Sequence, residues 1–181
     1  MAATMGNRGH LVACDTSEPR LEGAVKRLRR AGVHNAERHL LTPGDKWTKR
    51  RAKQFDRVRV EAPRPRTGTW RRNPDARLRT APADLAELAV IQHEILARAS
   101  ELVRAGGRLI YATCSLLRDE NEAQMQRFLG ERTDFRPVPL VELWNGLRPG
   151  VTPPGDGPWM ALSPARHATD GFFAAVLERV P

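Results

Sequence analysis

No apolar stretch in the 181 residues approaches the length of a membrane span, and residues 1 to 10 carry no hydrophobic core of an export signal. Cysteine occurs only at Cys14 and Cys114, too sparsely for a disulfide framework, so a reducing cytoplasm is the expected location. A metal-ligand cluster, a phosphate loop, a serine triad and internal repeats are all missing from the pattern. Acidic residues fall short of basic ones, 21 against 30, giving a formal charge of +9 and a pI near 10.8. That surplus favours an anionic partner, nucleic acid first, but charge alone does not separate an enzyme from a passive RNA binder. At 20.3 kDa and 40% hydrophobic residues, the chain fits a single soluble domain over residues 1 to 181, with no room for a second full one.

What is there is organised around residues 106 to 122. Leu109, Ile110, Tyr111 and Ala112 form a continuous apolar run, as a parallel strand covered on both faces requires, and Cys114 falls where that strand meets its carboxyl-end loop. Ligands of open α/β sheets bind at that end. Asp119 with Glu122 reads as a capping box for a helix through Phe128 and Leu129, stopped by Gly130. Upstream, Asp84 with Glu87 opens a helix whose Leu85, Leu88, Ile91, Ile95, Leu102 and Val103 keep helical spacing, and Gly106-Gly107 ends it. A free cysteine is more often a small buried hydrophobe than a nucleophile, so the strand leaves both roles of Cys114 open.

Residues 10 to 15 read as a short strand ending on Asp15. A helix follows, capped by Ser17, with Leu21, Val25 and Leu28 on its apolar face and Gly32 at its end. A carboxylate at such a strand end either accepts from ribose hydroxyls or caps the helix. Residues 36 to 41 are another strand, and Asp45 follows in a Pro-Gly-Asp turn. Residues 46 to 53 place five cations around Trp47, read either as a solvated loop or as a phosphate-tracking patch at Lys49, Arg50 and Arg51 with a stacking ring. Phe55 to Pro63 reads as a central strand, which Arg59 violates because an unpaired buried guanidinium costs several kcal/mol. Phe135 to Leu140 and Phe172 to Val180 complete the strands, with Phe172 and Phe173 as core.

Three blocks carry a resemblance. Tyr111-Ala-Thr-Cys-Ser followed by Glu120-Asn-Glu resembles the thiol-bearing motif of the Sun/Nop family of RNA cytosine-5 methyltransferases. Thr67-Gly-Thr-Trp-Arg-Arg-Asn-Pro resembles the segment after that family's Asp-Ala-Pro-Cys-Ser-Gly motif, and Asp170-Gly-Phe-Phe resembles its closing strand. The resemblance implies a Rossmann-like, doubly wound α/β sheet of the class I methyltransferase type. Its first strand and glycine-rich loop are not found here, since Met5 to Gly9 reads as the tail of the helix that would follow them. It implies S-adenosylmethionine as cofactor, contacted by Asp15, Asp45 and Glu61, with Cys114 as the nucleophile and Glu61 as a carboxylate near the base. Single-stranded or looped RNA, rRNA above all, is the implied substrate, with Arg71 and Arg72 joining Lys49, Arg50 and Arg51 in holding it. In place of the family's second thiol stands Arg64, and the family's aspartate is Glu61. A non-catalytic RNA-binding remnant, or a decayed fragment of such an enzyme, is the competing expectation. His167 could face the site through the closing motif.

Overall fold

The computed structural model describes residues 1–63, 65, 67–78, 81–155 and 157–181, the side chains of residues 76, 77 and 82 excepted. Arg64, the residue at the place of the second thiol, lies outside the described residues. Two compact units divide the chain, Met1–Trp47 and Thr48–Pro181.

In the first unit, β1 (Leu11–Asp15) pairs in parallel with β2 (Ala36–Leu40) across α1 (Glu18–Arg30). Residues 1 to 7 form a helical turn in which the Asn7 N–H reaches back to Ala2 O and Gly6 N–H to Ala3 O, with Gly6 at φ 56°. That is the two-bond closure of a helix C-terminus that glycine permits. The Ser17 side chain does not cap α1 as expected; Asp15 Oδ1 accepts the Ser17 N–H at 2.9 Å and does the job instead. Leu21 is buried on α1, whereas Val25 is exposed, because the helix sinks only one narrow stripe.

The second unit holds a sheet in the order β3-β4-β7-β5, with β6 also on β7. Its strands are β3 (Phe55–Val60), β4 (Val103–Thr113), β5 (Phe135–Pro137), β6 (Met160–Leu162) and β7 (Phe172–Arg179). Only β3 and β4 run parallel; β7 is antiparallel to its three partners. Among the described residues β1 pairs only with β2 and β3 only with β4, in a two-stranded and a five-stranded sheet, which leaves one edge of β3 open. That open edge also corrects the expectation for Arg59. Its side chain is 47% exposed and ion-pairs with Glu61, so no buried-charge cost arises.

After the short helices α2 (Trp47–Arg50) and α3 (Pro74–Leu78), α4 (Pro82–Ser100) starts where Asp84 Oδ2 accepts the Ala81 N–H at 2.9 Å, without Glu87. It ends at Ser100, earlier than Leu102 and Val103 predict, and the two glycines sit inside β4 and not at the helix end. There β4 slips against β3, from Phe55 opposite Val103 to Arg57 opposite Arg108. Gly106 takes φ 68°, and a Cβ on Gly107 would come within 2.8 Å of Arg104 O and 3.0 Å of Phe55 O, so this bulge demands glycine. The α5 helix (Glu122–Glu131) is likewise not opened by a capping box. Arg118–Glu120 form a 3-10 turn, Asn121 is the N-cap, and the helix runs through Gly130 to Glu131, because a helical glycine in open space does not stop it. After β5 the chain turns into α6 (Leu140–Leu147), where a longer strand is expected from the sequence. Pro137 and Pro139 explain this, since proline supplies no N–H for a ladder and suits a helix start.

Leu96 of α4, Met125 and Phe128 of α5, and Leu109, Tyr111, Phe173 and Leu177 of the sheet form the core. Strand β7 alternates strictly, burying Phe173, Ala175, Leu177 and Arg179. Arg132 closes α5 over this core. It donates to Asp134 through Nε and Nη2 at 2.8 and 2.9 Å, and to Ser100 and Glu101 through Nη1 at 2.6 Å each. Hydrogen bonding to Arg132 holds the Asp134 carboxyl below its ordinary range. A carboxylate with a depressed native pKa contributes stability above its unfolded value, and loses it as pH falls through the native one. Arg132→Ala should therefore cost about 2 kcal/mol at neutral pH, and the gap to the parent protein should narrow below about pH 4 in urea unfolding.

Candidate active site at the end of strand β4

Cys114 is the first residue beyond β4, partly exposed, as the apolar run predicts. Its carbonyl accepts the Gly68 N–H at 2.9 Å, and the Gly68 carbonyl accepts the Gly171 N–H, also at 2.9 Å. Gly68 is thus threaded between two backbones. An added Cβ there would lie 2.5 Å from Gly171 O and 2.8 Å from Cys114 O, which no side chain tolerates. Gly171 is similarly tight, with 2.5 Å to Leu116 Cδ2. The close approach of three loops explains why each brings a glycine or a small residue to this point.

The residues after Cys114 are held from every side. Ser115 N donates to Thr113 Oγ1 at 3.1 Å, Leu116 N to Thr67 Oγ1 at 2.8 Å, and Leu117 N to Ser115 Oγ at 3.1 Å. Thr113 Oγ1 donates to Asn121 Oδ1 at 2.6 Å, and Asn121 Nδ2 returns to Ser115 O at 3.0 Å. Below them Ser115 Oγ donates to the carboxylate of Glu120, 1% exposed. Such satisfied buried networks hold one geometry, because any rearrangement strands a polar group away from water.

Glu61 follows β3, the parallel neighbour of β4, and its carboxylate is about half exposed and paired with Arg59. Arg72 ion-pairs with Asp170, and Arg71 lies 3.7 Å from it, so the two predicted RNA-binding arginines stand beside the closing motif. The Arg71 and Arg72 side chains remain 66% and 63% exposed. Lys49 and Arg50 at the end of α2 (Trp47–Arg50) are exposed, and Arg51 is partly so. His167 does not reach toward a site of its own; its Nδ1 accepts the Ser163 N–H at 3.1 Å and so caps α7 (Pro164–His167).

In the first unit, Asp15 stands at the carboxyl end of β1 and engages Ser17 through Oδ1. Asp45 accepts from Trp47 N at 2.7 Å, and its Oδ2 meets His39 Nε2 at 2.6 Å, with the His39 ring stacked on Trp47 at 4.8 Å. Desolvation, followed by the Glu37 and Asp45 carboxylates, pushes the Cys14 thiol up to about 11. A thiol raised so far carries little thiolate at neutral pH.

A family profile described as 16S rRNA methyltransferase RsmB/F matches residues 1–178. The chain belongs to that family. It is 35% identical over 99% of its length to a probable ribosomal RNA small subunit methyltransferase B of Synechocystis, and 37% identical over 94% to the methyltransferase B of Serratia proteamaculans. It spans 40% and 37% of those proteins, about two fifths of the curated relatives it matches. Among solved structures, PH0851 superposes over 98% of this chain and 39% of its own with TM-score 0.86 and 31% identity. A methyltransferase homolog protein from Pyrococcus horikoshii covers 99% of this chain and 56% of its own, with TM-score 0.76 and 28% identity. The sheet and helices are thus those of Rossmann-like methyltransferases. Among the described residues no helix is long and apolar enough to cross a membrane, and no group of metal-ligating side chains assembles.

The RsmB/F resemblance read from three separate blocks acquires a physical meaning here: Gly68 of the first block bonds through its backbone to Cys114 of the second and to Gly171 of the third. What the sequence did not single out is Gln92, fully buried on α4, and the use of Glu120 as a buried acceptor. Gln92 had one visible signal, an uncharged polar residue on the apolar stripe formed by Leu88, Ile91 and Ile95.

Proposed function

We propose that this chain carries the cysteine-bearing part of an S-adenosylmethionine-dependent RNA cytosine-5 methyltransferase acting on rRNA in the cytoplasm, with Cys114 as nucleophile. The observation that carries the reading is the backbone clamp of Gly68 on Cys114, itself held by Gly171, at a partly exposed thiol on the carboxyl end of a sheet strand.

Asp15 fits the cofactor as a ribose-binding carboxylate, being at a strand end with its hydrogen bonding to the chain made through Oδ1. Asp45 would stand near the adenine, oriented by His39 and Trp47. The cofactor supplies an electrophilic methyl group. Cytosine C5 is a weak nucleophile, so the chain's task is to raise its electron density. The Cys114 thiolate forms a bond to C6, the C5–C6 π electrons move to C5, and a carboxyl at Glu61 stabilises the charge shift at the ring nitrogen. After C5 gains the methyl group, loss of the C5 proton to a base lets the Sγ–C6 bond break, the release step that the family's second thiol assists. The base reaches a thiol only out of its stack, which favours loops or single strands.

Incubating the protein with methyl-labelled S-adenosylmethionine and small-subunit rRNA tests this reading. Label in 5-methylcytosine is the expected result, and label confined to another position or absent at saturating rRNA would overturn it. Lys49, Arg50, Arg51, Arg71 and Arg72 bind RNA phosphates in this reading. Replacing the first three by alanine should reduce the slope of log affinity against log salt by roughly 2, measured by filter binding, with little effect on single-turnover methylation of bound RNA.

A further inference from the structure

We infer that Glu120 is a positioning residue for the Cys114 thiol, working as an acceptor on both carboxylate oxygens; the inference rests on Cys114 being the nucleophile. Two independent chains of donors end on this one side chain. On one side Pro63 O can only accept, so Gln92 Nε2 must face it, at 3.0 Å, and the same nitrogen donates its other hydrogen to Glu120 Oε1 at 2.7 Å. On the other side Ser115 Oγ receives the Leu117 N–H and donates its proton to Glu120 Oε2. Thr67 Oγ1, which accepts from Leu116 N, stands 3.0 Å from Ser115 Oγ, where either hydroxyl can be the donor.

Glu120 thereby joins two segments distant in sequence. One is Glu61 to Pro63, where the proposed base-contacting carboxylate stands. The other is Cys114 to Leu117. Tyr111 OH, donating to Glu120 O at 2.8 Å, pins the backbone of Glu120 to β4 itself. Gln92, Tyr111, Ser115 and Glu120 are all 1% exposed or less, so water cannot substitute for a lost partner.

Glutamine at this position has the same shape and the wrong polarity. Its NH2 would face either the Ser115 hydroxyl, whose proton must then turn from Glu120 to Thr67 Oγ1, or Gln92 Nε2, which could relieve the clash only by turning its oxygen onto Pro63 O. Aspartate is shorter but keeps both acceptors. A displacement of the thiol by as little as 1 Å is enough to lower the rate of an addition step about 100-fold without altering how RNA is held.

Three quantities are to be measured on the wild-type protein, E120Q and E120D: single-turnover formation of the Cys114–RNA adduct on 5-fluorocytidine-containing rRNA, RNA affinity, and amide hydrogen exchange at Leu116 and Leu117. E120Q should slow adduct formation about 100-fold at unchanged RNA affinity and speed exchange at both amides, and E120D should recover at least tenfold of the lost rate. Adduct formation by E120Q within threefold of wild type, exchange unchanged in E120Q, or equal losses in E120Q and E120D would each overturn the inference. So would loss of cooperative melting in both variants, which would make Glu120 a general core residue. If wild type forms no adduct at all, the cytosine-5 reading falls by itself, and the exchange data still decide whether Glu120 sets the loop.

Discussion

Gly68→Ala should remove both stability and activity, by about 2–4 kcal/mol in unfolding free energy and at least 100-fold in methyl transfer. The added methyl group would sit 2.5 Å from Gly171 O and 2.8 Å from Cys114 O, and neither atom belongs to a flexible side chain. Both carbonyl-bearing segments are tied down, Cys114 O by the Gly68 N–H itself and Gly171 by its N–H to Gly68 O. Relief therefore requires the loops to separate, which breaks the hydrogen bonds that hold the thiol. The contrast is Gly130 in α5, which has nothing within 4 Å of its Cβ position. Gly130→Ala should stabilise by about 0.5–1 kcal/mol, the ordinary gain of alanine over glycine in a helix. Paired urea titrations and initial rates decide the matter. A Gly68→Ala protein with wild-type midpoint and rate would mean that the clamp is looser than its distances indicate.

The second large effect concerns Arg64 and follows from the proposed chemistry. The family resemblance places a second thiol at that position, and in the family this thiol assists release of the product after methyl transfer. With arginine there, the Sγ–C6 bond should form and persist, so that the protein accumulates as a covalent RNA complex stable to denaturing electrophoresis. Arg64→Cys should convert this into multiple turnover. Cys114→Ala should abolish both complex and product, lowering transfer by at least about 1,000-fold, since only the nucleophile can form the bond. A complex that survives Cys114→Ala would place the reactive group elsewhere, and rapid turnover with Arg64 in place would remove the need for a second thiol.

Much of the architecture could be read directly because periodicity is a local property. The apolar run Leu109 to Ala112, the final strand from Phe172 and the strand ending at Asp15 all form where their patterns predict, though of Phe172 and Phe173 only Phe173 is buried. Sidedness determines these elements, and sidedness is written in neighbouring residues. Errors gathered at boundaries. Gly106-Gly107 has the composition of a helix stop, yet what consumes it is the slip of β4 past Phe55, a partner about fifty positions earlier. Arg59 looked like a charge inside a central strand, and becomes harmless because β3 has a strand on one side only among the described residues.

The same division runs through the candidate site. By itself the sequence determined that a thiol stands at the end of a strand, that the chain is strongly basic, and that three blocks in a fixed order mark an RsmB/F methyltransferase. Only the tertiary structure decided what those blocks do to one another. Gly68, Cys114 and Gly171 are separated by 46 and 57 positions, and nothing local to any of them states that a carbonyl of one will meet an amide of the next. The role of Glu120 was invisible for the same reason, and the position of Gln92 on an apolar stripe did not say what it would meet. A charged or polar side chain looks solvated until the fold brings enough donors and acceptors around it to replace water, and that replacement is set by packing between distant segments.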